Sequence, residues 1–185
     1  MTVDKKEITS AQEAGEEYGF GSPIHQIMRI LRPISGDGVG GVPTIVFPQI
    51  SDGAATPTTI EITLTGNATS NATHSIVICG RNSVDFQTYD FSVVKDDTPT
   101  EIAAKLVDAV NSVLGSPVTA ANVAGVVTLT TKWEGATSAE VSARVSTGTN
   151  TAGVTYAQTA TSLGAGAVDL ADSLSQFQND WYTIV

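Results

Sequence analysis

The chain has 185 residues, a formal net charge of -10, 41% hydrophobic residues and only 15% charged ones. That length supports one sizeable core, or one domain set into part of another. The nine Lys and Arg are scattered without a basic stripe, which excludes a nucleic-acid backbone as partner, and a single cysteine excludes an internal disulfide or a cysteine-built zinc site.

Ser10-Ala11-Gln12-Glu13 reads as a capping box opening a short helix that Gly19 or Gly21 stops. Ser22 then caps a second helix with Pro23 at its first position, and Ile24, Ile27, Met28 and Leu31 recur at helical spacing as its buried face. Pro33 ends it. The glycine-rich segment from Gly36 to Gly41 is a connector, and Thr44-Ile45-Val46-Phe47, between Pro43 and Pro48, reads as a short, fully buried strand of the parallel-sheet type.

Ser51 to Thr59 is small and polar, the composition of a linker. Beyond it, Ile60 to Thr65 alternates at period two. Further strands are expected at Ser75 to Cys79 and at Phe86 to Val94, the latter with Phe86, Tyr89, Phe91 and Val93 as its large residues. Cys79, in the run Ile76-Val77-Ile78-Cys79, is expected to be a small buried hydrophobe.

The plainest helix spans 99–114. Thr98-Pro99-Thr100-Glu101 combines a capping box with proline at the first position, and Ile102, Leu106, Val110 and Val113 form a stripe widened by Ala103, Val107 and Leu114. Gly115 is the expected C′ residue and Pro117 prevents continuation. Val118 to Val123 and Val126 to Trp133 form a hairpin about Ala124-Gly125, followed by strands at Glu140 to Val145 and Val154 to Thr161. A last helix carries Leu170, Leu174 and Phe177, and Trp181 to Val185 is a last apolar strand.

The fold class is therefore α+β: a β-rich inserted domain with one main helix, flanked by helix-strand segments of a partial α/β domain. The expected boundaries are 1–52, 53–163 and 164–185.

Several strings tempt a chemical reading. Gly36-x-Gly38-x-x-Gly41 matches the dinucleotide fingerprint, but it follows a helix and enters a strand, the reverse of what a phosphate at a helix N-terminus requires. A Ser/His/Asp triad would need His25 or His74 as base. Neither is near a nucleophile elbow, and Ser22 serves better as a cap. Asp96-Asp97 fits no calcium loop and reads as helix-start chemistry, while Glu13, Glu16 and Glu17 read as a solvated face. Trp133 and Trp181 are candidates for interface anchors or for core. No catalytic, cofactor-binding or metal-binding residue is assigned, and no enzyme activity is expected. Neither a signal-peptide h-region nor an apolar run long enough to span a bilayer is present, so no membrane insertion is expected.

In order along the chain, Gly19-Phe20-Gly21-Ser22-Pro23-Ile24-His25-Gln26-Ile27-Met28, Ile78-Cys79-Gly80-Arg81, Asp97 to Leu106, and Pro117-Val118-Thr119-Ala120 through Gly125-Val126-Val127-Thr128-Leu129-Thr130 resemble successive segments of Mu-type contractile phage tail sheath proteins. The likeness runs from about Thr9 to Val185 and departs at Gly135-Ala136-Thr137-Ser138, where the family has a different turn. It implies a structural subunit of a virion tail, assembled in the host cytoplasm into stacked hexameric rings and contracting to drive the tube through the host envelope. The implied partners are other sheath subunits, with the tail tube and baseplate reached through an N-terminal arm and a C-terminal domain outside this fragment. A β-rich surface module recognising carbohydrate or another protein is the alternative.

Overall fold

The structure is a computed structural model that describes residues 4–36, 38–80, 86–178 and Tyr182. Its class is mixed α+β. The elements are β1 (Lys6–Glu7), α1 (Ala11–Tyr18), α2 (Pro23–Leu31), β2 (Ile45–Val46), β3 (Ile50–Ser51), β4 (Pro57–Thr65), β5 (Ala72–Cys79) and β6 (Phe86–Val93). There follow α3 (Pro99–Asn111), β7 (Val118–Val123), β8 (Val126–Glu134), β9 (Ser142–Ser146), β10 (Thr155–Ser162), β11 (Val168–Asp169) and α4 (Ala171–Ser175).

Two antiparallel sheets carry the main core, one in the order β10-β4-β8-β7 and the other β6-β5-β9. Strict alternation decides which face turns inward: Ile60, Ile62 and Leu64 from β4, Ile76 and Ile78 from β5, Tyr89, Phe91 and Val93 from β6. Helix α3 packs against β6 and β7 and contributes Ile102, Leu106 and Val110 to the same core. Its start is the capping box read from sequence: Thr98 Oγ1 accepts from the Glu101 N–H, and the Glu101 carboxylate accepts from the Thr98 N–H at 2.8 Å. The β7-β8 turn has φ of 51° at Ala124 and 84° at Gly125, the paired positive values of a tight hairpin matched to strand twist.

A second, smaller core gathers Ile8, Ala14, Tyr18 and Met28, with Val46 packed on it. On leaving the first segment for the main sheets, and on returning from them, the chain runs beside itself. There β3 pairs with β11, Ser51 opposite Val168, and Thr56 bridges Ala165. Behind this region the tail of the chain returns to the first segment: the Ser173 hydroxyl donates to the Pro48 carbonyl at 2.7 Å, and the Phe177 ring stacks on Phe47 at 4.1 Å.

Several expectations are corrected. The run at Thr44 to Phe47 is not a fully buried parallel strand. Only Ile45–Val46 pair, antiparallel to Lys6–Glu7, and Ile45 is 37% exposed, because the flanking prolines leave too short a ladder to be covered on both faces. The expected linker loses its end to β4, where Pro57 is tolerated beside a register shift against β8. Helix α3 stops at Asn111 rather than 114. Its last turn tightens, with Val113 N–H on the Val110 carbonyl and Ser116 N–H on the Val113 carbonyl, so Leu114 faces solvent. The strand expected from Glu140 begins at Ser142, since 136–140 form a 3-10 turn. On α2, Ile27 is exposed, and His25 and Gln26 are buried beside Met28. Cys79 is half-buried, for it faces away from inward Ile76 and Ile78. The last expected helix covers only Ala171–Ser175, with Leu170 and Leu174 exposed. The strand expected at Trp181 to Val185 lies outside the described residues, apart from Tyr182.

Candidate interaction surface

Helix α2 is held against the main core by backbone-directed polar contacts. Gln26 Nε2 donates to the Gly115 carbonyl at 2.8 Å, and Lys132 Nζ donates to the carbonyls of Leu114 at 2.9 Å and Phe20 at 3.2 Å. Gly21 allows the approach: its φ is 87°, and a Cβ there would lie 2.0 Å from the Ser116 carbonyl oxygen.

This docking leaves an open groove of about 860 Å³ between α2, the loop after it and the end of α3. His25, Arg29 and Arg32 line it together with the apolar Phe20, Ile34 and Leu114. A smaller groove of about 280 Å³, lined by Ile30, Phe86 and Pro117, shares Arg29 and Gln87 with the first. Ile30 is 58% exposed, Phe86 69% and Leu114 63%, so these two adjoining grooves present several large apolar side chains to solvent. Exposed apolar side chains gathered beside charged ones are a feature of contact surfaces.

The groove is cationic. Among the described residues the ion pairs are Lys6 with Glu13 and Glu17, and Lys105 with Asp97; Arg29 and Arg32 have none. Arg29 donates to Gln26 Oε1, while Arg32 donates to the carbonyls of Gly40 and Val42, and its Nε is buried without a partner among the described residues. Burial, then the charges of Arg29 and Lys132, hold the His25 imidazole below its ordinary pKa, and burial alone lowers that of Lys132. Asp37, between two lining glycines, lies outside the described residues.

The residues weighed for chemistry are placed as follows. Ser22 caps α2 through the His25 N–H at 3.2 Å, and His25 Nδ1 accepts from the Gly21 N–H at 3.1 Å, so the pair is spent on helix-start structure. His74 is in the other core, bonded to Tyr156 and to the Asn150 carbonyl. The two histidines are therefore not brought together. Asp97 accepts from the Val94 N–H at 2.7 Å and from Lys105 Nζ at 2.5 Å, contacts that hold its carboxyl below the usual range, Lys105 first. Glu13 is not merely solvated, for it accepts from the backbone and hydroxyl of Thr9. Trp133 packs half-buried against the main core with its indole N–H unpartnered, and Trp181 lies outside the described residues. No group of three or more His, Cys, Asp or Glu among the described residues is arranged to hold a metal ion. No helix among them is long and apolar enough to cross a membrane. Sequence reasoning missed the groove, because Arg29 and Arg32 stand apart from Phe86 and Leu114 in the chain and meet only through packing.

A scan against protein-family profiles and a search of curated proteins find no match to the chain.

Proposed function

We propose that the chain is part of a structural assembly subunit, of the contractile tail sheath kind that its ordered segments resemble, with residues 53–163 inserted as a β-rich module into the domain formed by 1–52 and 164–185. The observation that carries this reading is the neck. The chain leaves for the main core at β3 and comes back beside it at β11, and Phe47, Pro48, Ser173 and Phe177 close the base. A module joined side by side at its two ends rides on its host as one body, which suits a subunit that moves by changing its contacts. The resembling segments serve as helix caps (Ser22, Thr98), a hairpin (Ala124-Gly125) and strand ends, which are scaffold roles. The exposed apolar cluster at Ile30, Phe86 and Leu114 supplies surface for neighbours. Other sheath subunits are the proposed partners, and the virion tail the proposed location.

The test is expression of the open reading frame that contains this sequence, followed by negative-stain microscopy. Tubes or stacked sixfold rings are expected. A parent that is no longer than this chain, or that never assembles, would sink the proposal.

One observation favours the alternative of a surface binding module. Hydroxyls line one face of the larger sheet, with Ser162, Thr59, Thr130 and Thr119 in adjacent register and the Oγ1 atoms of Thr63 and Thr159 3.0 Å apart. Reproducible hits on a glycan array, lost when Thr59 and Thr130 are both changed to Val, would support it.

A further inference from the structure

A second surface carries the opposite charge. A cavity of about 650 Å³ at the neck is lined by Asp52, Asp169 and Asp172 together with Ile50 and Val168, and no Lys or Arg is among its lining residues. Asp52 and Asp169 each accept one nearby backbone N–H, from Ala54 and Ala171, and none of the three carboxylates has an ion-pair partner among the described residues. Ile50 is 48% exposed and Val168 40%. Among the described residues, the neck surface thus pairs open aliphatic groups with negative charge that has no ion-pair partner, as the groove by α2 pairs them with positive charge that has none. The two share no lining residue.

We infer that these surfaces are the two halves of one head-to-tail contact, the α2 groove of one copy receiving the acidic neck of the next. Charge sign selects the occupant. In a chain of net charge -10, a second copy is repelled by most of the surface, and the groove with Arg29 and Arg32 is where a negative face is welcome. Because donor and acceptor surfaces differ, the contact is heterologous, and repetition makes a ring or a filament rather than a closed two-fold pair. The inference rests on the subunit reading and names the faces that meet.

The experiment is sedimentation velocity on this chain over a range of concentrations at about 0.1 M salt, where a Debye length of about 10 Å screens whole-molecule repulsion more than contact pairs. One variant, Arg29→Glu with Ile34→Glu, reverses the groove and spares Arg32, whose bonds hold the following loop. A second, Asp169→Lys with Asp172→Lys, reverses the neck. Unmodified protein is expected to self-associate, each variant alone to associate at least about tenfold more weakly, and an equimolar mixture of the two to regain association. A control, Lys95→Glu with Arg144→Glu, changes net charge more than the groove variant does and should behave as unmodified protein. Circular dichroism verifies that each variant is folded, and a single change from the same face, Arg29→Glu for the groove or Asp172→Lys for the neck, replaces any pair that is not. A mixture that stays dissociated, or a control as weak as the groove variant, overturns the pairing. A monomeric unmodified chain also overturns it, and leaves the subunit reading to the microscopy of the parent.

Discussion

His74 Nδ1 lies 2.7 Å from the Tyr156 hydroxyl, while its Nε2 lies 2.9 Å from the Asn150 carbonyl oxygen. A carbonyl only accepts, so Nε2 carries the proton, and in the neutral ring Nδ1 accepts from the tyrosine. One imidazole thereby ties β5 to β10 and to the loop before it, with Phe91 edge-on to both rings. The change Tyr156→Phe should cost about 1 kcal/mol, and His74→Ala about 3, because the latter strands two polar partners and leaves a cavity. Urea unfolding of both single variants and the double variant would measure a coupling of about 1 kcal/mol, and a coupling near zero would refute the tie.

Burial raises the phenol of Tyr156 well above the ordinary tyrosine range, and raises those of Tyr89 and Tyr18 as well. A group whose folded pKa is raised contributes stability that is complete below its unfolded value and is lost as pH climbs through that value toward the folded one. Thermal stability should therefore fall as pH climbs above about 10, and Tyr156→Phe should flatten the fall. His25 works at the other end. Its folded pKa is lowered, so its contribution is whole above 6.5 and declines as pH drops below that value toward the folded one. Melting curves against pH for His25→Gln and unmodified protein would check it, the variant losing less on acidification.

Gly164 sits against a buried hydroxyl cluster where the main core meets the neck. Its N–H donates to Thr58 Oγ1 at 2.8 Å, Thr58 lies 3.2 Å from Ser138 Oγ, and Ser138 donates to the Gly135 carbonyl at 2.8 Å. A Cβ on Gly164 would lie 1.9 Å from Ser138 Oγ and 2.8 Å from the carbonyl oxygens of Gly135 and Thr56. Gly164→Ala should cost about 2–3 kcal/mol in chemical denaturation. Adding Ser138→Ala should recover only part of that, since the two backbone oxygens remain.

Asn111 closes an open edge. Its Nδ2 donates to the Ala120 carbonyl at 2.8 Å, and its Oδ1 accepts from the Ala120 N–H at 2.9 Å, as a neighbouring strand would. Asn111→Ala should lower stability by about 1–3 kcal/mol, and Asn111→Asp should not restore it, because a carboxylate cannot donate to the carbonyl. Amide exchange at Ala120 should quicken in both variants. Unchanged exchange would show that the edge is protected by other means.

Where the signal is local, sequence and structure agree closely. The caps at Ser10, Ser22 and Thr98 are side chains bonding to backbone three residues on, a relation complete within one turn. Alternation in β4 and the Ala124-Gly125 turn are legible for the same reason. Failures occur where the partner is distant. Phe86 shares a strand with Tyr89, Phe91 and Val93, yet it stands an odd number of places from them and so falls on the outer face. Helical spacing places Ile27 on the buried face of α2, but docking on the end of α3 turns His25 and Gln26 inward instead.

From the sequence alone came the caps, turns and periodicities, the mixed α+β class, and a composition unsuited to nucleic acid, because each depends on residue type and spacing along the chain. Tertiary structure alone decided that β3 and β11 meet at a neck, that His74 finds Tyr156, and that Arg29, Phe86 and Leu114 share one surface beside a chain otherwise rich in negative charge. Those relations join residues far apart in sequence, and they exist only once the chain has folded.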